Sequence, residues 1–322
     1  NALTALTTGG QNIAIGYQSL QTEDTSDGNV AIGYQSLMTQ NAADNAGNTA
    51  VGYVALRNST TALGNTAVGY KAGLAVTTGG LSTIVGHLAG QSLTVGRYNT
   101  VLGYAAMDAE VEGSENVAIG YNALTSANAG GSGSGATNTH NTMVGSGAGD
   151  SITTGIQNTG LGANVAFDID ANNQTAIGFQ ATTDSANDIA IGNTSVDEIK
   201  GQVDFSTFSD KRIKKDIIDG DLGLDFINEL KVRKFKKVNP AEYPDEIKKK
   251  NDGTGGEWTD AQANKVWDGL IAQEVKEAMD KSGTTFSGWS EESNSKQLVT
   301  YSTMVMPLIK AVQELSAEVK QL

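Results

Sequence analysis

A glycine that returns about every seventeen residues dominates the first two hundred positions. The marker glycines are Gly16, Gly33, Gly52, Gly69, Gly86, Gly103, Gly120, Gly145, Gly162, Gly178 and Gly192, at spacings of 17, 19, 17, 17, 17, 17, 25, 17, 16 and 14. Each closes a short motif: Asn, a small polar or β-branched residue, a small residue, Ile/Val/Leu, Gly, then often Tyr. NIAIGY at 12–17, NTAVGY at 48–53 and 65–70, and ENVAIGY at 115–121 are examples. A fixed period of this length means stacked structural repeats, a solenoid. It is too short for a helix pair, which takes about 34 residues. The longest interval contains NAGGSGSGATNTH at 128–140, a surface loop by composition.

Each repeat carries one alternating triplet, such as Ile13-Ala14-Ile15 or Thr66-Ala67-Val68. Residues two apart on a strand face the same way, so each turn is expected to point a stripe of Ile/Val inward together with one small Ala. A second apolar pair follows the Tyr, as in Ser19-Leu20, Ala55-Leu56 and Ala123-Leu124. Two short strands and two corners per turn are therefore expected, a parallel β-roll or β-helix, with glycine permitting the tight corner. Over most of residues 10–195 the Asn-x-x-Ile/Val-Gly motif resembles the head repeats of trimeric autotransporter adhesins. That resemblance implies a left-handed parallel β-roll built as a trimer. So thin a core is consistent with this: stacking buries one face, and three rolls side by side would bury another.

The recurring asparagines read as a ladder of side-chain amides that closes the corners by hydrogen bonds; a ligand-binding row is the competing reading. The tyrosines at 17, 34, 53, 70, 104 and 121 read as a stacked ladder, with a carbohydrate-binding strip as the competitor. His87 takes a ladder position and His140 lies in the loop, so neither makes a metal site alone.

Composition removes several function classes. With no cysteine there are no disulfides, thiolate metal sites or cysteine nucleophiles. Thirty-nine glycines beside three prolines argue against collagen. The net charge is −14, and residues 1–200 hold 4 Lys/Arg against 15 Asp/Glu. An acidic fibre repels nucleic acid and anionic membrane. No apolar stretch reaches the length of about 18 residues that spans a bilayer, so no membrane insertion is expected. No cofactor is expected either. The chain starts at Asn1, already inside a repeat, and is expected to be a piece or processed form of something longer.

The glycine repeat stops near residue 200 and charge becomes dense. GLDFINEL at 223–230 reads as a short amphipathic helix, and KVRKFKKV at 231–238 alternates like a strand. Residues 240–258 read as an exposed polar insertion, and Lys248-Lys249-Lys250 within it as a solvated face. WDGLIAQEVKEAMDK at 267–281 places Leu270, Ile271, Val275, Ala278 and Met279 on one helix face. At the end, Tyr301, Val305, Leu308, Val312, Leu315, Val319 and Leu322 are spaced 4, 3, 4, 3, 4 and 3, the a/d seam of a coiled coil. Glu314, Glu318 and Lys320 flank it. Pro307 would weaken the first turns, so the coil is expected to begin there. The competing reading is an amphipathic helix packed on its own domain.

Residues 201–322 contain neither His nor Cys, which rules out a Ser-His-Asp triad there. Serine with a lysine base remains, and SDKRIKKDI at 209–217 offers it, with Lys211, Lys214 and Lys215 as candidate bases. The pattern Ser209, Asp210, Arg212, Lys214, Ile217 resembles the start of the intramolecular chaperone domain of phage tailspikes and tail fibres, the endosialidase type. GLDFINEL, GLIAQEV at 269–275 and YSTMVMPLIKAVQEL at 301–315 extend the likeness over residues 205–322, in the family's order. The resemblance implies a domain that trimerises, helps the upstream fibre fold and cuts itself off. Carried over, Ser209 is the nucleophile, Lys214 its general base, and Phe208–Ser209 the scissile bond. Lys214 must be partly neutral to act, which burial or the like charges of Lys211, Arg212 and Lys215 would favour. Five positions apart, Ser209 and Lys214 need a turn or another subunit to meet. Asp210 could orient Lys214 or Arg212, or simply cap a turn.

The expected organisation is a β-solenoid over 1–200, a joint at 201–208 and an α+β chaperone over 209–322 with a coiled coil from about 305. The expected protein is a homotrimeric phage tail fibre in the virion. Its expected partners are a host cell-surface receptor such as a glycan and upstream fibre or baseplate proteins. A bacterial trimeric surface adhesin without peptidase activity is the competing identity, and a glycan-cleaving enzyme ranks last.

Overall fold

The computed structural model describes residues 1–321 apart from 24, 43–44, 128–136, 204, 249–257 and 293–294. Most of the expected loop at 128–140, much of the insertion at 240–258 with Lys249 and Lys250 of its basic run, and Leu322 of the seam lie outside the described residues. The chain forms two compact units, the first running from Asn1 to Thr194 and the second beginning at Ser195.

In the first unit eleven three-residue strands form one parallel sheet in chain order, from Ile13–Ile15 to Ile189–Ile191. Equivalent residues pair: Ala14 with Ala31, Ala50 with Ala67, Ala176 with Ala190. The longest interval leaves this register intact, since Val117 pairs with Thr142. Part of the expected loop is itself folded, because Thr137–Asn138 pairs with Gly113–Ser114. The chain is thus a β-solenoid.

Two details reverse the expectation. The alternation is real but its phase is inverted. The central residues Ala31, Ala50, Ala67, Ile84, Val101, Ala118 and Met143 are fully buried, whereas Ile13, Ile15, Val68, Leu102, Leu161 and Ile191 are exposed. The interior of so short a turn is narrow, and Leu20, Leu37, Leu56, Met107 and Leu124 already fill it from the other side. Where that second position is Gly90, the strand centre grows to Ile84, and a Cβ on Gly90 would lie 3.5 Å from Ile84 Cγ2.

Most turns also have one strand, not two, the pair at Gly113–Ser114 and Thr137–Asn138 being the second strand of its two turns. On the far side Leu20, Leu37, Leu56 and Met107 hold φ between 46° and 52°, a left-handed conformation foreign to strands and unfavourable for residues with a Cβ. Stacking offsets that cost, because each of these N–H groups donates to the next rung: Leu20 to Ser36 at 3.1 Å, Leu37 to Ala55 at 3.1 Å, Leu56 to Ala72 at 3.0 Å.

The marker glycine is required by its neighbour in the stack as much as by the corner. Gly86 has φ 141°, and a Cβ there would press closer than 3.0 Å on the carbonyl oxygen of Gly103 in the next rung. From Asn29 to Asn158 the ladder asparagines are buried, and they join successive rungs. Asn65 Nδ2 donates to Gly79 O (2.9 Å) in its own turn, while its Oδ1 accepts from Ser82 N (3.0 Å) in the next. Asn48, Asn99, Asn141 and Asn158 repeat the scheme. Ser82 does half of it, its Oγ accepting from Asn99 N at 3.1 Å.

The second unit is a small α+β region. Its helices are α1 (Leu224–Glu229), α2 (Asp260–Asn264), α3 (Ala272–Ser282) and α4 (Val305–Val319). Arg233–Phe235 pairs antiparallel with Trp267–Gly269, and Trp289–Glu291 with Gln297–Val299. The core gathers Phe226, Val275, Ala278, Met279, Phe286 and Met304. Helix α3 starts later than its apolar pattern suggests: Trp267–Gly269 is claimed by the strand pair, so Leu270 precedes the helix and Ile271 is its N-cap.

Replacing Asn65 by Ala leaves Gly79 O and Ser82 N buried without partners, at about 1–3 kcal/mol for each group. Chemical denaturation should show that loss, and Asn65→Ser, which can imitate Ser82, should lose clearly less.

Candidate functional site

The sequence around Ser209 folds into one tight turn. Asp210 is its N-cap, with φ −64° and ψ 135°, and its carboxylate accepts from Arg212 N at 2.8 Å. One 3-10 turn, Lys211–Ile213, follows, and the chain leaves extended at Lys214, whose N–H donates to Lys211 O at 3.1 Å. A 3-10 turn advances the chain little, with three residues per turn, so the residues flanking it return to each other. Lys214 Nζ lies 2.7 Å from Ser209 Oγ and donates to it. The two candidates thus meet within one copy, through a turn and without another subunit.

Asp210 does not touch Lys214. It grips Arg212, whose Nε donates at 3.0 Å and Nη2 at 2.6 Å, so it serves both as turn cap and as anchor of the guanidinium. The Arg212 guanidinium is thus turned onto Asp210. The Arg212 side chain and backbone N–H together hold the Asp210 carboxyl below its ordinary range. Ser209, Asp210, Arg212 and Lys214 are all exposed, as is Phe208.

Helix α4 turns one face to its own unit and leaves another bare. Met304, just before it, Pro307 and Ala311 are buried, and Glu314 Oε2 accepts from Leu224 N (2.7 Å), capping α1 from 90 residues away. Glu314 is thus a cap rather than a flank of the seam. Val305, Leu308, Val312, Leu315 and Val319, together with Tyr301, remain exposed. The Tyr301 hydroxyl accepts from Leu270 N at 2.9 Å. Neither contact has a local sequence signal, since each joins segments far apart in the chain.

Residues 209–284 match the family model for the chaperone of endosialidase. The matched stretch opens at Ser209, and α4 lies beyond it. No curated protein and no solved structure matches the chain.

Upstream of the chaperone, the tyrosine column is a continuous stack. Tyr17, Tyr34, Tyr53, Tyr70, His87, Tyr104 and Tyr121 follow one another at centroid distances of 4.8–5.4 Å and interplanar angles of 3–16°. Each inner ring has both faces covered by its neighbours. A sugar bound by aromatic stacking needs an open face, so this geometry supports the structural ladder over the carbohydrate strip.

In the chaperone, Asp210→Asn removes the charged clamp on Arg212 while keeping an acceptor for its N–H. Hydrogen exchange should report a turn about 3–10-fold less protected at Arg212. The wild type should show the same weakening with acid. Because the Asp210 value is lowered by folding, its stabilisation is present above the ordinary aspartate range and is lost as pH falls through the lowered value.

Proposed function

We propose that this chain is part of a homotrimeric phage tail fibre whose second unit is an intramolecular, self-releasing chaperone. The bare seam of α4, Val305, Leu308, Val312, Leu315 and Val319, brings three copies into register, and the solenoids then fold side by side. Leu322 would extend the seam by one position. The outward stripe of Ile, Val and Leu on the solenoid supports this reading, since one copy leaves it in water. In the virion the fibre would meet a host cell-surface receptor, such as a glycan, and join upstream fibre or baseplate proteins.

The observation that carries the proposal is the 2.7 Å contact between Lys214 Nζ and Ser209 Oγ at the first residue of the matched chaperone. In the proposed cut, Ser209 Oγ adds to the Phe208 carbonyl carbon while Lys214 Nζ takes the hydroxyl proton. The C–N bond breaks as that proton passes to the Ser209 nitrogen, leaving Phe208 esterified to Oγ. Water then opens the ester, giving a Phe208 carboxylate and restoring the hydroxyl. Holding nucleophile, base and carbonyl on one short turn supplies much of the rate by proximity. Asp210 and Arg212 position that turn. The reaction is a single turnover on the chain itself, with no external substrate.

Mass spectrometry of the purified protein should find a fragment beginning at Ser209. Ser209→Ala should leave only intact chains. Lys214→Arg keeps the charge but removes the base and should slow the cut about 100-fold or more. A cut that survives in Ser209→Ala would remove the catalytic assignment.

A further inference from the structure

Apolar side chains that one copy leaves in water flank the Ser–Lys pair, interleaved with the charged residues of the turn. Phe205 is 94% exposed, Phe208 91% and Ile218 87%, with Ile213 and Ile217 also exposed. Two phenylalanines and three isoleucines within fourteen residues form a surface that needs a cover. The second unit also carries an apolar groove of about 340 Å³, lined by Ile227, Leu230, Val232, Leu270, Met304 and Leu308. Val232 on its wall is 79% exposed. The groove's one hydroxyl, on Tyr301, is already engaged by Leu270 N. Exposed apolar side chains on the turn and an open apolar groove with room for a few of them therefore coexist in one chain.

We infer that in the assembled protein the segment 205–218 of one copy lies in the groove of a neighbouring copy, and that this contact completes the Ser209–Lys214 site by taking it out of water. The occupant is a second copy because Leu308 belongs both to the groove and to the exposed seam of α4. If seams meet at Leu308, the groove that Leu308 lines borders the meeting point. The neighbour's α4 is the weaker candidate, since its apolar side chains are matched by the seam itself.

The consequence for the chemistry follows from this site's one visible deficit. In a single copy Lys214 donates to Ser209, whereas a base must accept the serine proton. That reversal needs a neutral amine, and withdrawal from water favours the neutral form of a lysine. Ser209 and Lys214 lie between Phe208 and Ile217, so seating the apolar run covers the pair. The cut is then tied to assembly by desolvation of a pair already in place. This inference rests on the Ser–Lys reading above.

Two experiments on the full chain test it. In a Ser209→Ala background, Phe208 is replaced by the photo-crosslinker p-benzoylphenylalanine, and the trimer is irradiated. Chains of doubled mass on denaturing gels are expected, with the crosslinked peptide mapping to Leu230, Val232, Leu270 or Leu308. Crosslinks only within one chain, only to the α4 residues 312–319, or none at all would overturn the inference. In the otherwise native chain, Val232→Glu should keep the trimeric mass by light scattering yet slow the cut at least 10-fold, and the milder Val232→Ser should slow it less. Trimeric Val232→Glu that cuts at the wild-type rate also overturns it. Loss of the Ser–Lys reading looks different: Ser209→Ala would still cut, while the crosslink map would stand.

Discussion

One bond repeats along the first unit and nearly everything else depends on it: the buried asparagine Oδ1 that accepts the backbone N–H of the next rung. A three-residue strand cannot hold a rung in place alone. The amide adds a second tie on the inside, and its Nδ2 closes the turn by reaching a carbonyl about fourteen residues on. The same close stacking leaves no room for a Cβ at the marker glycine. Asparagine and glycine are thus two sides of one constraint, rungs stacked in strict register. Register in turn fixes which side chains lie inside and which outside.

The period, the parallel solenoid and the asparagine ladder could be read from the chain because each rests on a residue with one strong physical reason for its place. The phase of the alternation could not. Ile-Ala-Ile allows two orientations, and hydrophobicity alone favours burying the isoleucines. The leucine across the turn decides otherwise, because the interior admits one large side chain there. The left-handed leucines were equally hidden, since nothing in a lone Leu20 announces a positive φ; inter-rung bonds enforce it.

The second unit divides along similar lines. The pattern around Ser209 and Lys214 resembles the start of a processing chaperone, and the matched residues begin at that serine. The two meet across a single 3-10 turn that Asp210 caps, a local device that the five-residue spacing alone does not distinguish from a meeting between subunits. Helix α4 follows from its heptad spacing, and Val305, Leu308, Val312, Leu315 and Val319 on it are exposed. Its other face could not be foreseen, because Glu314 caps α1 across 90 residues. Contacts of that separation leave no trace in a local pattern.

The unbroken register between Val117 and Thr142 has a consequence for how such a fibre can change size. Neighbouring strands in a sheet lie about 4.8 Å apart. Since most rungs present the same buried asparagine, glycine and carbonyl to the next, duplicating one seventeen-residue unit of that kind shifts all that follows by about that step and repeats a joint already present. Reach can then grow or shrink in equal increments by simple tandem copying of the gene, and the long interval before Gly145 keeps the same strand register.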